Sequence, residues 1–336
     1  MDALAGLLDG PRARGAFLLR SSMDPPWSLR IQDEAPLTLV AVVRGRAWIV
    51  PGDGGAVCLG HGDVAVIRGP DPYTVADDPA TPPQAVIHPG QRCTLPDGQE
   101  LKQMTELGVR TWGNSPDGAT VLLTGTYQLD GEVSRRLLRA LPAVLVLREG
   151  EWDCPLIPLL ADEIVKDEPG QEAVLDRLLD LLLIAVLRAW FARPDARAPG
   201  WYRGYADPVV GEALRQIYHA PQQPWTVQSL ARAAGASRAT LARRFTELVG
   251  ETPMAFLAGW RIALATDLLR EPQATLGAVA RQVGYASPYA LSAAFKRHRG
   301  VSPREYLAMT SRSSLSEKSG HGTVNVLSRT FVSPLG

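Results

Sequence analysis

One pattern occurs twice in the chain, and this repeat decides the fold of the C-terminal part. Residues 230–237 read Leu-Ala-Arg-Ala-Ala-Gly-Ala-Ser, and residues 279–287 read Val-Ala-Arg-Gln-Val-Gly-Tyr-Ala-Ser. Behind each copy the same residue types recur fifty positions apart, in the pairs Leu241 and Leu291, Phe245 and Phe295, Gly250 and Gly300. Two copies are too few for an open-ended array, so we interpret them as two helix-turn-helix motifs, at about 227–248 and 276–299.

Capping residues predict the helix boundaries in both copies. Thr226 and Thr275 precede the first helix of each copy, and Ser237 and Ser287 precede the second. Their side-chain oxygens can accept hydrogen bonds from the free N–H groups of a helix start. The glycine inside each quoted stretch ends the first helix. The apolar segment 253–270 between the copies predicts a rigid connecting helix.

The second copy carries a specific resemblance. Its Gly284-Tyr285 pair and the run Phe295-Lys-Arg-His-Arg-Gly-Val-Ser-Pro-Arg-Glu-Tyr306 resemble the AraC/XylS family of transcription regulators, and the spacing matches across both copies. The resemblance implies double-stranded DNA as a partner. It also implies two recognition helices that enter successive turns of the major groove, about 34 Å apart.

Charge is distributed unevenly along the chain. Residues 222–310 contain 11 Lys and Arg against five Asp and Glu, a net charge of +6. Residues 1–221 contain 21 against 29, a net charge of −8, although the whole chain has a formal net charge of zero. A basic C-terminal module suits the phosphates of DNA, and the acidic remainder does not.

The outward faces of the two recognition helices supply the candidate DNA contacts. Arg243 stands where the family commonly uses a side chain against bases, and arginine can bind guanine through two hydrogen bonds. Ala293 occupies the matching position in the second copy, so we expect weaker base reading there, with Lys296 and Arg297 as phosphate clamps. The predicted DNA-binding residues are Ser237, Arg238, Thr240, Arg243, Arg244, Ser287, Tyr289, Ser292, Lys296 and Arg297.

The chain from Trp27 to about Thr126 has the pattern of an all-β domain. Short β-branched runs alternate with Gly- and Pro-rich turns, which predicts a sandwich or barrel. The predicted strands are 37–43, 47–50, 56–59, 64–67, 73–76, 85–88 and 120–127. The Gly60-His-Gly-Asp63 run after Gly45 resembles the first half of a cupin, the jelly-roll domain that precedes the DNA-binding module in one branch of the family.

Helical patterns follow the β segment. We expect helices at 133–141, 157–168 and 171–191, with a strand at 144–147. The helix 171–191 has a broad leucine-rich face, which can either pair with a second subunit or pack on its own barrel. In the regulators that the chain resembles, the N-terminal domain dimerises through helices of this kind, which implies a homodimer.

These patterns together predict an α+β multidomain protein. It combines an N-terminal cupin-like β-barrel that carries a helical dimerisation segment with a C-terminal all-α tandem helix-turn-helix domain. The expected domains are 1–196 for sensing and dimerisation, 197–207 as a linker, 208–310 for DNA binding and 311–336 as a disordered tail.

The histidine content of the barrel bears on whether it is an enzyme. His61 and His88 are its only histidines, and Thr38 and Tyr73 stand where related regulators often carry histidines. A catalytic metal needs three or four ligands around one cavity, so we expect no metal, no cofactor and no enzymatic activity. Thr38 could instead offer a hydroxyl to a small-molecule effector. The alternative is a metal-dependent cupin enzyme or metal sensor, for which His88 and Cys93 are candidate ligands of a soft metal.

Cysteine content and hydropathy indicate the compartment. The three cysteines, Cys58, Cys93 and Cys154, form no even framework and fit a reducing cytosol. A cysteine-based redox sensor is a further alternative. The most apolar run, 181–187, is too short to cross a bilayer, and the first residues do not form a signal peptide. We therefore expect a cytoplasmic, sequence-specific DNA-binding regulator without a membrane partner, whose operator, effector and direction of regulation stay open.

Overall fold

β-Strands gather in the first part of the chain and helices in the last part, as the sequence pattern predicts. The structure, a computed structural model, describes residues 17–52, 55–99, 101, 105–127, 131–152, 154–193, 198–271 and 273–309. These residues form two units. The β unit contains residues 17–127 and 141–193, and the helical unit contains residues 131–140 and 198–309. The tail predicted to be disordered, 311–336, lies outside the described residues.

The β unit consists of two sheets. Its described strands are β1 (Phe17–Met23), β2 (Ser28–Ile31), β3 (Leu37–Arg44), β4 (Ala47–Pro51), β5 (Val57–Leu59), β6 (Val64–Arg68), β7 (Tyr73–Ala76), β8 (Ala85–His88), β9 (Arg92–Thr94), β10 (Thr105–Gly108), β11 (Thr111–Gly113), β12 (Thr120–Tyr127) and β13 (Val144–Leu147). Among them, seven strands form one sheet in the order β10-β11-β1-β12-β3-β6-β13, and six form the other in the order β5-β4-β7-β2-β8-β9. All eight strands that the sequence predicts are present within one or two residues of their predicted ends.

Strand β12 organises the larger sheet. It pairs antiparallel with β1 on one side and with β3 on the other, which confirms the return strand predicted at 120–127. The apolar core of the unit includes Trp27, Ile49 and Leu122, all at most 2% exposed. Sequence reasoning missed β1, because Ser21 and Ser22 interrupt its apolar pattern although both are buried.

Two helices complete the β unit, α2 (Leu156–Glu163) and α3 (Gln171–Ala192). Helix α2 is shorter than the predicted 157–168. The side-chain amide of Gln171 donates hydrogen bonds to the carbonyls of Glu163 and Ile164, at 2.9 and 3.4 Å, and these bonds stabilise the turn that follows α2.

Most of the leucine-rich face of α3 is buried inside the unit. Leu179 packs so closely on β12 that a Cβ atom added at Gly125 would lie 2.6 Å from it. The other buried members of the face are Leu175, Leu182, Leu183, Val186 and Leu187. Of the two interpretations of this face, packing on its own barrel therefore holds for these residues.

The helical unit contains both predicted helix-turn-helix motifs. Its described helices are α1 (Glu132–Leu138), α4 (Gly200–Tyr205), α5 (Pro208–His219), α6 (Val227–Ala233), α7 (Arg238–Val249), α8 (Pro253–Leu268), α9 (Leu276–Gln282) and α10 (Pro288–Arg299), and residues 303–309 form a further helix. Helices α6 and α7 form the first motif, α9 and α10 form the second, and α8 connects them.

Two features of this unit differ from the sequence-based expectation. The segment 197–207, expected to be a linker, contains helix α4. Trp201 of this helix is only 7% exposed, and a Cβ atom at Gly200 would lie 2.5 Å from the carbonyl oxygen of Val249 at the end of α7. The proline and glycine of this segment therefore begin a packed helix and do not keep the chain extended. The second difference is α1, which the sequence assigns to the N-terminal domain and the structure assigns to the helical unit.

The connector α8 is buried on two sides. Toward the first motif, the ring of Phe256 lies 5.7 Å from the ring of Phe245 in an edge-to-face arrangement. Toward the second motif, Ile262 and Ala265 pack in one apolar cluster with Phe295. Because both sides are covered, α8 is apolar around most of its circumference.

Equivalent glycines in the two motifs differ in their surroundings. Gly235 and Gly284 follow the first helix of each motif and have left-handed φ angles of 63° and 86°. A Cβ atom at Gly284 would lie 2.6 Å from the carbonyl oxygen of Gln222, whereas a Cβ atom at Gly235 would meet nothing within 4 Å. Alanine is strained by the left-handed backbone at both sites, but only at Gly284 must a neighbouring backbone also move.

We expect Gly284→Ala to lower the free energy of unfolding of the helical unit by roughly 1–3 kcal/mol more than Gly235→Ala, because overpacking adds to the backbone strain. Hydrogen exchange of the α8 and α9 amides in the full-length protein measures this difference. Equal losses of unfolding free energy in the two variants would show that the backbone at Gln222 moves away from the new methyl group at little cost.

Candidate nucleic-acid interface

Capping groups fix both ends of the two recognition helices, α7 and α10. The Oγ of Ser237 accepts a hydrogen bond from the Thr240 N–H at 3.1 Å, and the Oγ of Ser287 accepts one from the Ala290 N–H at 3.1 Å. Both helices end at a glycine with a left-handed backbone. The predicted caps are therefore confirmed. A serine oxygen that accepts from the backbone can still donate its own proton to another group.

The inward faces of these helices are fully buried, which determines the faces that point outward. Leu241 and Phe245 of α7 and Leu291 and Phe295 of α10 are all 0% exposed. On an α-helix, residues half a turn away from such a stripe must face away from the core. The polar residues between these positions are therefore available for a partner.

The outward face of α7 presents two exposed arginines, Arg238 and Arg243, with Thr240 half-buried between them. Arg243 donates to both carboxylate oxygens of Glu247 at 2.9 Å, and both side chains are more than half exposed. Such an exposed pair is worth about 0.3–0.5 kcal/mol. A two-bond contact of arginine with guanine contributes about 1–3 kcal/mol of discrimination. Because this is more than the ion pair contributes, Arg243 can leave Glu247 and bind a base.

Arg244 has a different environment from its neighbour. Its guanidinium lies 3.1 Å from the carboxylate of Asp207, whose side chain is only 11% exposed. The same carboxylate caps α5 by accepting hydrogen bonds from the N–H groups of Val209 and Val210. Arg244 thus ties α7 to α5, and its predicted contact with DNA stays a prediction.

The outward face of α10 combines an aromatic residue with two cations. Tyr289 is 84% exposed, and Lys296 and Arg297 are also exposed, whereas Ser292 is half-buried. Ala293 is exposed at the position that corresponds to Arg243. This face therefore has cations suited to phosphates but no long donor at the position where α7 presents Arg243.

The barrel histidines do not converge on one site. His61 is exposed, with its Nδ1 2.7 Å from the Val43 carbonyl oxygen. The Nε2 of His88 lies 2.9 Å from the Oγ1 of Thr94, and burial, together with the charge of Arg92, lowers the pKa of His88.

His88 and Cys93 lie on paired strands but on opposite faces of their sheet. In the register of β8 and β9, Cys93 stands opposite Ile87 and His88 stands opposite Arg92. Side chains alternate between faces along a strand, so the two candidate ligands cannot share a metal ion. In the described part of the chain, no group of three or more His, Cys, Asp and Glu side chains could hold a metal ion.

The cysteines, all within the described residues, form no disulfide. Burial raises the pKa of the Cys93 thiol to about 11. Because the thiolate is the reactive species, this thiol is a poor nucleophile at neutral pH.

A narrow cavity of about 60 Å³ lies in the β unit. Its apolar lining includes Leu19, Leu29 and Trp112. Its polar lining consists of Ser21, Asp33, Tyr73, Gln91, Thr124 and Thr126.

Two threonines near this cavity differ in their hydrogen bonding. Thr38 bonds to Tyr73 and is not part of the lining. The hydroxyl of Thr126 is buried and has no hydrogen-bond partner. Burial raises the pKa of the neighbouring Asp33 carboxyl, which favours its neutral form.

Some residues that hold the interface in place carry no local signal in the sequence. Glu132 of α1 contacts Arg299 at the end of α10 across 167 positions of the chain. No capping motif or periodicity links residues so far apart, and only the folded structure brings them together. Separately, the described helices include none that is long and apolar enough to cross a membrane.

Comparison with known proteins adds independent findings. A Cupin family model matches residues 2–192, and a Helix-turn-helix domain model matches residues 230–309. An AraC-like transcription regulator of Streptomyces antibioticus is 33% identical over 314 residues, which span 91% of this chain and 98% of that protein. The HTH-type transcriptional regulator AlkR of Acinetobacter baylyi is 28% identical over 312 residues, 91% of this chain and 99% of that protein. The crystal structure of the DNA-binding domain of AdpA with a target DNA is 32% identical, covers 35% of this chain and 100% of that chain, and has a TM-score of 0.29.

A β unit of the cupin class followed by two helix-turn-helix motifs defines a regulator with a separate DNA-binding module. The chain belongs to the AraC-like family of transcription regulators. The family resemblance seen in the sequence is therefore confirmed.

Proposed function

We propose that the protein regulates transcription by placing α7 and α10 in two successive segments of the major groove of double-stranded DNA. The observation that carries this proposal is the pair of capped recognition helices, each buried on its back and polar on its front, fixed on one connector. The basic charge of residues 222–310 complements the phosphates. Base edges in the major groove then supply the sequence information.

The two helices have unequal roles in this proposal. On α7, Arg243 reads a guanine, Arg238 and Thr240 contact the flanking bases or phosphates, and Arg244 positions the helix through Asp207. On α10, Tyr289, Ser292, Lys296 and Arg297 hold the backbone. The Ser287 hydroxyl can donate its proton to a phosphate oxygen, and the Ser237 hydroxyl can do so when Thr240 is the donor in the 2.8 Å hydrogen bond between their hydroxyl groups.

Substitution of one residue in each helix tests this division. We expect Arg243→Ala to cost about 1–3 kcal/mol of binding and to relax the preference at one or two base pairs. Lys296→Ala should weaken binding to all sequences and reduce the slope of log K against log salt by about one unit. Selection from a random duplex library, followed by salt titrations of the full-length variants, measures both effects. The same sequence-independent loss from both variants would contradict the division.

The protein is proposed to be a regulator and not an enzyme. Its relatives are named as transcription regulators, and the candidate metal ligands His88 and Cys93 face opposite sides of their sheet. A metal catalyst needs several ligands on one cavity and an open coordination position. A regulator of transcription works where the chromosome is, which for a bacterial relative is the cytoplasm.

The cavity in the β unit is the proposed effector site. Its lining is mainly apolar, and the buried Thr126 hydroxyl offers an unused hydrogen-bonding group. Such a lining suits a small, largely apolar molecule with one polar group. The cavity of about 60 Å³ is small even for such a molecule, since ligand pockets usually measure about 300–1,000 Å³. Binding would therefore have to move side chains in the lining.

Two threonine-to-valine variants test whether the Thr126 hydroxyl is unpaired. Valine has nearly the same shape, so Thr126→Val removes a buried group without a partner, and we expect the β unit to gain about 1 kcal/mol of unfolding free energy. Thr38→Val removes the partner of Tyr73, and we expect a loss of about 1–3 kcal/mol. Urea unfolding with hydrogen-exchange readout of β3 and β12 measures both. A loss in both variants would mean that the Thr126 hydroxyl is already satisfied.

We further propose that the protein dimerises through the outer side of α2 and α3. Leu159, Val165, Val174 and Leu181 are between 44% and 52% exposed, although large apolar side chains are mostly buried elsewhere in the unit. Val174 and Leu181 are seven residues apart on α3, so they lie on one side of the helix. A second copy that covered this side would remove its apolar surface from water.

The double variant Val174→Glu, Leu181→Glu should shift the full-length protein to the monomer, because burial of two carboxylates in an apolar interface is unfavourable. Light scattering over a concentration series measures the mass. Arg46→Glu is the matched control, since it makes the same total change in charge at an exposed position in the turn between β3 and β4. A wild-type protein that stays monomeric at all concentrations would disprove the dimer.

A further inference from the structure

Helix α1 depends on a residue of the connector for its start. In the chain, α1 follows strand β12 and precedes β13, yet it belongs to the helical unit. Its N-cap position is Gly131, which has no side chain to cap the helix. The carboxylate of Asp267 in α8 acts as the cap, because its two oxygens accept hydrogen bonds from the N–H groups of Glu132 and Val133 at 2.6 and 3.1 Å.

Glu132 is a buried carboxylate with three donors. Its side chain is 3% exposed and accepts hydrogen bonds from Arg299 at 2.5 Å, Arg135 at 2.7 Å and the Tyr306 hydroxyl at 3.0 Å. Burial raises the pKa of the Glu132 carboxyl. The hydrogen bond and positive charge of Arg299, together with Tyr306 and Arg135, lower it by more, so this pKa lies below its usual value. The carboxylate is therefore ionised at neutral pH.

The partners of Glu132 belong to the second recognition helix and the segment behind it. Arg299 is the last residue of α10. Tyr306 lies in the helix 303–309, and its ring packs 5.7 Å from the ring of Phe295, the buried aromatic residue of α10. Glu132 thus holds the C-terminal end of α10 from the side opposite its outward face.

The other end of α1 reaches the first motif. Arg136 lies 3.4 Å from the carboxylate of Glu251, which follows the end of α7. The Arg136 guanidinium also lies 4.5 Å from the centre of the Phe256 ring in the connector. One short helix therefore contacts the connector and elements of both motifs.

We propose that α1 is a strut that sets the orientation of α10 against the connector, with Glu132 as the positioning residue. The inference rests on the proposed DNA-binding function and extends it to the residues that position α10.

The substitution Glu132→Gln should change the affinity for DNA in opposite directions, depending on whether Glu132 acts only through its charge or positions α10. Removal of one negative charge makes the helical unit more basic, which on its own strengthens DNA binding. Loss of the strut instead weakens binding by the half of the site that α10 contacts. Glu305→Gln is the matched control, because Glu305 is an exposed carboxylate near Lys296 that accepts a local hydrogen bond from the Ser302 N–H at 2.8 Å.

The experiment uses full-length protein and two duplexes. The first is selected by the wild-type protein from a random library. The second is a shorter duplex that ends before the half whose protection is lost in Lys296→Ala, so α10 has no phosphates to contact there. We expect Glu132→Gln to bind the first duplex roughly tenfold more weakly, the scale of a charged hydrogen bond, and to bind the second at least as tightly as the wild type does. Glu305→Gln should bind both duplexes at least as tightly as the wild type.

A double-mutant cycle with Arg299→Gln tests whether Glu132 acts through its contact with Arg299. The double variant should lose less affinity than the sum of the losses of the two single variants, because both single variants break the same contact. If circular dichroism shows that Glu132→Gln does not fold, Tyr306→Phe removes one donor and keeps the ring, and it should lose about twofold to fivefold on the first duplex only.

Two outcomes overturn the strut. Either Glu132→Gln behaves like Glu305→Gln, or the folded variants lose equal affinity on both duplexes. A wild-type protein that selects no sequence would instead overturn the proposed DNA-binding function, and this inference with it.

Discussion

The burial of Phe245 and Phe295 against the connector α8 is the constraint on which the DNA-binding arrangement depends. Each ring buries the apolar face of its recognition helix, so the polar face on the opposite side must point toward solvent. Because α8 packs against both motifs, the two faces are oriented together. A protein that must match two grooves of one duplex needs this rigidity, since a half-site contact that is misaligned by a few ångströms contributes nothing.

Charged residues of the helical unit divide by their surroundings. Arg299 and Arg244 are paired with carboxylates whose side chains are 3% and 11% exposed, and these pairs join helices. The pair of Arg243 with Glu247 is exposed on both sides and is weak by comparison. The same residue type therefore has two roles, to hold the scaffold and to remain available for a partner, and the burial of its carboxylate partner distinguishes them.

The parts of the fold that the sequence predicts correctly are those with local causes. Caps, left-handed glycines and apolar stripes act over one or two helical turns, so both motifs can be recognised from the sequence alone. The capping of α1 by Asp267 and the contact of Glu132 with Arg299 join distant residues, and no local pattern reveals them. Helix α4 was missed for another reason. Its proline and glycine are typical of a linker, and only the burial of Trp201 shows that this segment is packed.

Helix α1 belongs to the helical unit but lies in the chain between two segments of the β unit, so the two units are not consecutive along the chain. During synthesis, residues 132–138 leave the ribosome well before Arg299, so the helical unit cannot complete its packing until nearly the whole chain is made. Gene fusion meets the same obstacle. A new sensor joined ahead of residue 198 would remove α1 and leave Asp267 and Arg299 without their partners. Exchange of sensors within this lineage would therefore favour those that bring a matching helix with them.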